Sequence, residues 1–320
     1  MKRTDSLHTF AMKEAFDHED EGTAISSAVS VVGVMAKAKE AFPGIITAHK
    51  LARSLDVVLQ PKGFEKDTTL LTTSFCCDEV CRDLEDELKE AYGQNFSLGG
   101  IAGFPFGGCT AFGAMAHHTS MDPAGNILIV YGPHVGIDYD GVVGKVNRKG
   151  HKGSGSCCNT AKVSLAYIKA VNEGKKIHAP DASDPIYAQQ VFVDSALIPH
   201  TDRILGAENP DVELPSAILD CQKALMKRIL DKCCKSDIPK GTKVAVLGGI
   251  QVNTPEGTPE YFLPKSFDLL NDDGEHQEDL LADLMYEGTK DLMQVIKEKR
   301  LQAKMDEVKQ NLADVPIMEG

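Results

Sequence analysis

The stretch SFCCDEVCRD, at positions 74–83, combines cysteines, acids and an arginine. Cysteine thiolates bind soft or borderline metal ions. If a strand continues through this stretch, Cys76 and Asp78 point to one side and Cys77 points into the packing, because strand side chains alternate. If a helix begins near Asp78 instead, Asp78 and Arg82 lie one turn apart, in the order that favours an ion pair. The guanidinium of Arg82 would then hold the Asp78 carboxylate with two hydrogen bonds.

Two later places supply further metal-binding side chains. His134 follows the apolar run ILIVYGP, and the pair Cys157-Cys158 opens a helical pattern. In α/β sheets, ligands bind at the carboxyl ends of the strands, which is where Cys76 and His134 are expected. Two cysteines and one histidine suit Zn²⁺ and leave one coordination position for water. The sequence therefore predicts a zinc site built from Cys76, His134 and either Cys157 or Cys158.

Other residues compete with this interpretation. His117 and His118 are possible ligands, although adjacent histidines usually cannot both bind one ion. Cys77 and Cys81 are expected to pack, since free cysteine is commonly buried. The chain has nine cysteines, an odd number, and no disulfide framework is visible, which favours a reducing compartment. A dithiol redox protein is a further hypothesis. It is weakened because these cysteines lack the Cys-x-x-Cys spacing of redox motifs.

Alternating strands and helices must position these side chains. Buried strands are expected at 68–75, 126–136 and 243–254, and 141–156 is rich in turns, as in an excursion or hairpin. Such alternation predicts an α/β fold with a mostly parallel central sheet flanked by helices. We expect a single domain with helical additions at both ends. Its expected parts are a helical N-terminal part (1–66), a sheet core that carries the zinc site (67–265) and a helical C-terminal part (266–320).

Composition narrows the class of protein. The chain has 320 residues and a formal net charge of −13, which argues against binding to nucleic acid or to an anionic membrane surface. The first residues lack a secretory signal or an Arg/Ser-rich transit pattern. The longest apolar stretch, 24–38, is too short and too rich in serine to cross a membrane.

Several stretches resemble a known family. They are SFCCDEVCRDLED, GGIAGFPFGGCTAFGAMAHH, ILIVYGPHVGID, GKVNRKG, SCCNTAKVSLAYI and GGIQVNTPEGTPEYFLP. They are similar to the limiting-CO2-inducible protein B family of algae, whose active members are theta-class carbonic anhydrases. The resemblance covers roughly residues 20–300 and implies a fold and site like those of beta-class carbonic anhydrases.

The resemblance also implies roles for individual residues. Cys76-x-Asp78 matches the beta-class Cys-x-Asp, and His134 and Cys158 stand for its other zinc ligands. Cys158 is preferred to Cys157 because of its offset to the following helix. Asp78 would orient the attacking water and Arg82 would hold Asp78, although Arg82 comes two places later than the beta-class arginine.

At the level of the whole protein, the resemblance implies a zinc-dependent carbonic anhydrase that hydrates CO2 to bicarbonate. The expected role lies in a CO2-concentrating mechanism, in a homodimer located in a plastid or otherwise in the cytoplasm. The alternative is a non-catalytic carbon-concentrating subunit that binds zinc and acts through a partner protein.

Overall fold

Strands and helices alternate along the part of the chain that the computed structural model describes, residues 31–121, 124–175 and 181–290. The strands are β1 Ile46–Thr47, β2 Thr69–Ser74, β3 Asn95–Ser97, β4 Asn126–Tyr131, β5 His134–Gly136, β6 Lys145–Asn147, β7 Ser154–Ser156, β8 Val244–Asn253, β9 Tyr261–Leu270 and β10 His276–Asp279. The helices are α1 Val31–Ala41, α2 Ala48–Leu59, α3 Arg82–Tyr92, α4 Gly108–Ala116, α5 Asn159–Asn172, α6 Ala188–Leu197, α7 Thr201–Leu205, α8 Pro210–Asp237 and α9 Leu281–Thr289.

An eight-stranded sheet forms the centre of the fold. Its strand order is β1-β9-β8-β4-β2-β3, with β5 paired to β8 and β10 paired to β9. Pairing is parallel between β2 and both β3 and β4, and between β8 and both β4 and β5. Pairing is antiparallel wherever β9 takes part. The predicted α/β fold with a mostly parallel sheet flanked by helices is confirmed.

Both faces of this sheet are buried. Leu128 and Val130 of β4 belong to a core cluster that includes residues of α2, α3 and α5. Ile127 and Ile129 belong to a second cluster, with residues of α1, α4 and α8. Successive side chains of a strand point to opposite faces, so the continuous apolar run of β4 reflects helical cover on both sides. None of the helices in the described ranges is both long and apolar enough to traverse a bilayer.

The ends of the expected sheet core differ from the structure. β9 runs to Leu270 and so crosses the expected boundary at residue 265. His276–Asp279, which lies in the expected helical C-terminal part, is instead the edge strand β10. Pairing with β9 overrides the local helical pattern there, because strand formation depends strongly on tertiary context. The rest of the expected helical part, beyond residue 290, lies outside the described residues.

Close backbone contact between neighbouring strands locates the end of β4. A Cβ atom on Gly132 would lie 1.7 Å from the carbonyl oxygen of Gly249 in β8. A Cβ atom on Gly103 would likewise lie 2.3 Å from the carbonyl oxygen of Gly132. Only glycine permits this approach. His134 follows two residues later, so this contact sets the position from which its side chain departs.

We expect Gly132→Ala to lower the free energy of unfolding by about 3 kcal/mol or more, because the new methyl group would displace a backbone that packs on both sides. Gly113→Ala in α4 is the matched control, since its Cβ atom would lie no closer than 3.4 Å to Asp237. The control should be neutral or stabilising by up to ~1 kcal/mol. Chemical denaturation measures both variants, and equal stability of the two proteins would contradict this account of the strand contact.

Candidate metal centre

Three buried donors meet where parallel strands end. Cys76 lies two residues beyond β2 and His134 opens β5, while Cys158 is the residue that caps the N-terminus of α5. One donor atom from each of these residues lies within 4.8 Å of the others, and the two sulfurs are 3.8 Å apart. Each of the three residues is at most 4% exposed. The structure therefore brings together the three residues predicted as zinc ligands.

Cys157 also reaches His134, from another direction. Its sulfur lies 3.4 Å from His134 Nδ1 and 3.7 Å from Asn253 Oδ1. With Asp78 and His134 it forms a second group whose donor atoms lie within 4.8 Å. Only the group with Cys158 contains two thiols, which is the predicted donor set. The choice of Cys158 over Cys157 stays a prediction.

The two thiols that face each other differ in acidity. The hydrogen bond with Cys76 is the largest cause of the lowered pKa of Cys158, which is about 6 despite burial. The same hydrogen bond, followed by burial, raises the pKa of Cys76 to about 12. The contact between the two sulfurs thus shifts the two pKa values in opposite directions.

His134 is held from one side of its ring. Its Nδ1 lies 2.8 Å from Asn253 Oδ1, whereas its buried Nε2 has no hydrogen-bond partner among the described residues. Burial acts to lower the pKa of His134, but the thiols of Cys81, Cys157 and Cys158 together raise it well above its ordinary value.

These donors fit a zinc ion. A buried polar atom without a partner is unfavourable, and the Nε2 lone pair of a neutral imidazole is a good zinc ligand. Thiolate sulfur and imidazole nitrogen are the donors that zinc prefers, and the neighbouring carboxylate of Asp78 has an oxygen 4.0 Å from Nε2. Two observations therefore support zinc at this centre: the chemical types of the donors, and the buried Nε2 of His134 without a hydrogen-bond partner among the described residues.

The expected pair between Asp78 and Arg82 is wrong. Asp78 lies outside the helix, where its Oδ1 accepts a hydrogen bond from Val80 N in the 3₁₀ turn Glu79–Cys81. Its Oδ2 accepts instead from Arg148 Nη2, at 2.9 Å. Arg148 lies between β6 and β7, which form the predicted hairpin. Burial acts to raise the pKa of Asp78, but hydrogen bonding with Glu79 and the charges of His134 and Arg148 hold it below its usual value.

Arg82 has other partners. It donates to the carboxylate of Glu85 and to the backbone oxygen of Cys76. Glu85 is 3% exposed and accepts a further hydrogen bond from Thr73, at 2.8 Å. Arg82 begins α3, so its side chain compensates a buried carboxylate one turn later and holds the backbone that carries Cys76. It thus contacts a predicted ligand, but through the main chain.

The other cysteines and histidines lie outside the donor set. Cys81 is fully buried, as expected, whereas Cys77 is exposed and the expectation that it packs is wrong. The end of β2 at Ser74 explains this, because the alternation of strand side chains does not extend to Cys77. His117 and His118 are exposed at the end of α4, and the ring of His118 contacts Phe96. All nine cysteines are free thiols.

A narrow cavity adjoins the centre between the hairpin and two helices. His134, Cys157 and Cys158 line this cavity. Lys162 and Asp211 also line it and form an ion pair of 2.5 Å. The cavity thus borders the buried donors on one side.

Three residues near the centre were not predicted from the sequence as site residues. Arg148 lies in the quoted stretch GKVNRKG, but no local pattern relates it to Asp78, 70 positions away. Asn253 lies at the carboxyl end of β8, a position that could have drawn attention. Glu260, with a pKa raised to about 8 by burial, has no signal in the sequence that distinguishes it from a surface acid.

Comparisons with known proteins bear out the family resemblance. The family model for limiting CO2-inducible proteins B/C beta carbonic anhydrases matches residues 45–271. The crystal structure of PtLCIB4, a homolog of the limiting CO2-inducible protein LCIB, is 38% identical, with a TM-score of 0.71, and the match covers 77% of this chain and 99% of that one. A histidine-to-alanine mutant of PtLCIB4 is 36% identical, with a TM-score of 0.72 and coverage of 79% and 99%.

A more distant structure shares the fold. LCIB itself is 19% identical, with a TM-score of 0.57 and coverage of 74% and 95%. No curated protein matches the chain. The family match spans most of the described residues, including the centre formed by Cys76, His134 and Cys158. The chain belongs to the family of limiting CO2-inducible proteins B/C beta carbonic anhydrases.

Proposed function

We propose that this protein is a zinc-dependent carbonic anhydrase that interconverts CO2 and bicarbonate. The observation that carries the proposal is the buried group of Cys76, His134 and Cys158 beside the carboxylate of Asp78. Two thiols and an imidazole would hold the ion. When bound, zinc would supply Lewis-acid chemistry, lowering the pKa of a water toward ~7 so that this water can release a proton to solvent near neutral pH.

The protein side chains orient the reactants. An ionised carboxylate only accepts hydrogen bonds, so Asp78 accepts one from the attacking water and turns an oxygen lone pair toward CO2. Arg148 keeps Asp78 ionised and fixes its Oδ2, and the side chain of Asp78 is only 12% exposed. Because the donors are buried, bulk water screens the site little, and the electrostatic interactions of these charges are stronger than in water.

We expect Cys76→Ser, His134→Ala and Cys158→Ser to remove bound zinc and to abolish CO2 hydration, because each removes one of three donors. The matched control is Cys157→Ser, which alters the adjacent thiol and should keep both zinc and most of the activity. Metal analysis and stopped-flow hydration measure the two properties. Full activity of the Cys76 or His134 variant would overturn the proposal. If only the Cys157 variant, and not the Cys158 variant, lost zinc, the third ligand would be Cys157.

The two arginines should differ in what their removal changes. Arg148→Met should reduce hydration activity at least ~10-fold and destabilise the fold by at most ~1 kcal/mol, because this arginine orients a partly exposed pair. Arg82→Met should lower the free energy of unfolding by about 2–4 kcal/mol, because Glu85 would remain buried without its charge partner. Denaturation and hydration assays on both variants check this. Loss of activity in Arg82→Met together with loss of stability in Arg148→Met would contradict this assignment and indicate that Arg82 holds Asp78.

We also propose a second candidate function, because the similar structures are named as homologs of a limiting CO2-inducible protein and those names state no activity. A non-catalytic carbon-concentrating subunit would bind zinc, show no hydration activity alone and act through a partner protein. The hydration assay on zinc-loaded protein separates the two functions. A role in concentrating CO2, a plastid location and a homodimeric state form part of the same proposal, and sedimentation analysis tests the last.

A further inference from the structure

We propose that Asn253 and Glu260 form a positioning pair that keeps the proton of His134 on Nδ1 and leaves Nε2 as the nitrogen that binds a metal. This inference rests on the proposed function in so far as a metal is the ligand of Nε2. It assigns the task of presenting His134 to two residues that are not themselves ligands.

The orientation of the Asn253 amide is fixed by its neighbours. Its Nδ2 lies 2.8 Å from the backbone oxygen of Val80 and 2.9 Å from Glu260 Oε2. Both are acceptors, so the NH2 group must face them and the amide oxygen must face His134. That oxygen lies 2.8 Å from His134 Nδ1, which therefore has to carry a hydrogen.

Glu260 completes the arrangement from the far side. Its Oε1 accepts from the backbone N–H of Thr254, at 3.1 Å, and its Oε2 accepts from Asn253. Whether the carboxyl group is ionised or protonated, each oxygen keeps a lone pair for its donor. A glutamine side chain at this position has only one oxygen, so its NH2 group would oppose that of Asn253 and favour a turned Asn253 amide.

The consequence for His134 lies at its other nitrogen. With Nδ1 donating to Asn253, Nε2 is the nitrogen that can give up its proton to a metal, and it is buried and 4.0 Å from Asp78 Oδ2. A turned Asn253 amide would present an N–H to Nδ1 and move the ring proton to Nε2. Mutation of the residue that hydrogen-bonds the second nitrogen of a metal-binding histidine typically lowers metal affinity by ~10–100-fold.

Gln251 provides a matched comparison within the same strand. It is as buried as Asn253, points to the same side of β8 and donates to the same oxygen of Val80, at 3.5 Å. Its side chain takes no part in the contact with His134 Nδ1. Loss of packing or of the hydrogen bond to Val80 would affect both residues, whereas loss of proton control would affect Asn253 alone.

The experiment measures zinc affinity by competition with a chelator and the ¹⁵N chemical shifts of the His134 ring. Asn253→Leu should weaken zinc binding ~10–100-fold and populate the wrong ring tautomer. Gln251→Met should leave the tautomer unchanged and the affinity within ~3-fold of the unmodified chain, far less than that range. The shifts are also recorded without metal, at a pH at which the ring is neutral.

Glu260→Gln provides a second variant that keeps the test decisive if Asn253→Leu does not fold. It should shift the tautomer and weaken zinc binding at least ~10-fold.

The outcomes separate the two proposals. An unchanged tautomer in Asn253→Leu and Glu260→Gln, or equal affinity losses in the Asn253 and Gln251 variants, would overturn the positioning role. If the unmodified protein binds no zinc, the proposed function fails, while the ring shifts of the metal-free variants still decide whether Asn253 and Glu260 control the proton.

Discussion

Burial of the His134 imidazole is the constraint on which the rest of the centre depends. A ring this deep in the protein is stable only if its polar atoms have partners, because water cannot reach them. Parallel pairing of β5 with β8 places His134 beside the carboxyl end of β8 and so supplies Asn253 for Nδ1. The close contact between Gly132 and Gly249 makes that pairing possible. The remaining nitrogen, Nε2, lies 4.0 Å from Asp78 Oδ2 and has no hydrogen-bond partner among the described residues.

Two carboxylates near the centre each take an arginine, and the two arginines come from different parts of the chain. Glu85 is almost fully buried and pairs with Arg82 on the same helix, a local contact that steadies the backbone of Cys76. Asp78 is partly exposed and pairs with Arg148 of the hairpin. We propose that the local pair serves stability and the long-range pair serves orientation. Proteins need both, since a well-formed site on a loosely held segment loses its geometry.

The sequence predicts much of the fold because β4 and β8 are long, apolar and covered on both faces, so their burial can be read from composition. It predicts His134 and Cys76 because each follows a strand that the sequence predicts. It misassigns the partner of Asp78, because spacing reports only contacts within a helix, and Asp78 precedes the helix as a cap. It also misses β10, whose polar side chains carry no strand signal and whose pairing with β9 is a matter of tertiary contact.

The segment between His134 and Cys158 is long enough to place Cys158 far from the other two donors. In the structure, backbone contacts of this segment instead hold Cys158 beside them. Gly136 N donates to the oxygen of Cys157, and Cys157 N donates to the oxygen of Gly144, so both ends of the segment are fastened near the centre. Between them, the hairpin projects Arg148, whose Nη1 binds the oxygen of Ser156 while Nη2 binds Asp78. The entropy cost of a loop grows slowly with its length, so residues added between fixed ends disturb the centre little. A segment inserted between two donors can therefore also supply the residue that orients the carboxylate between them.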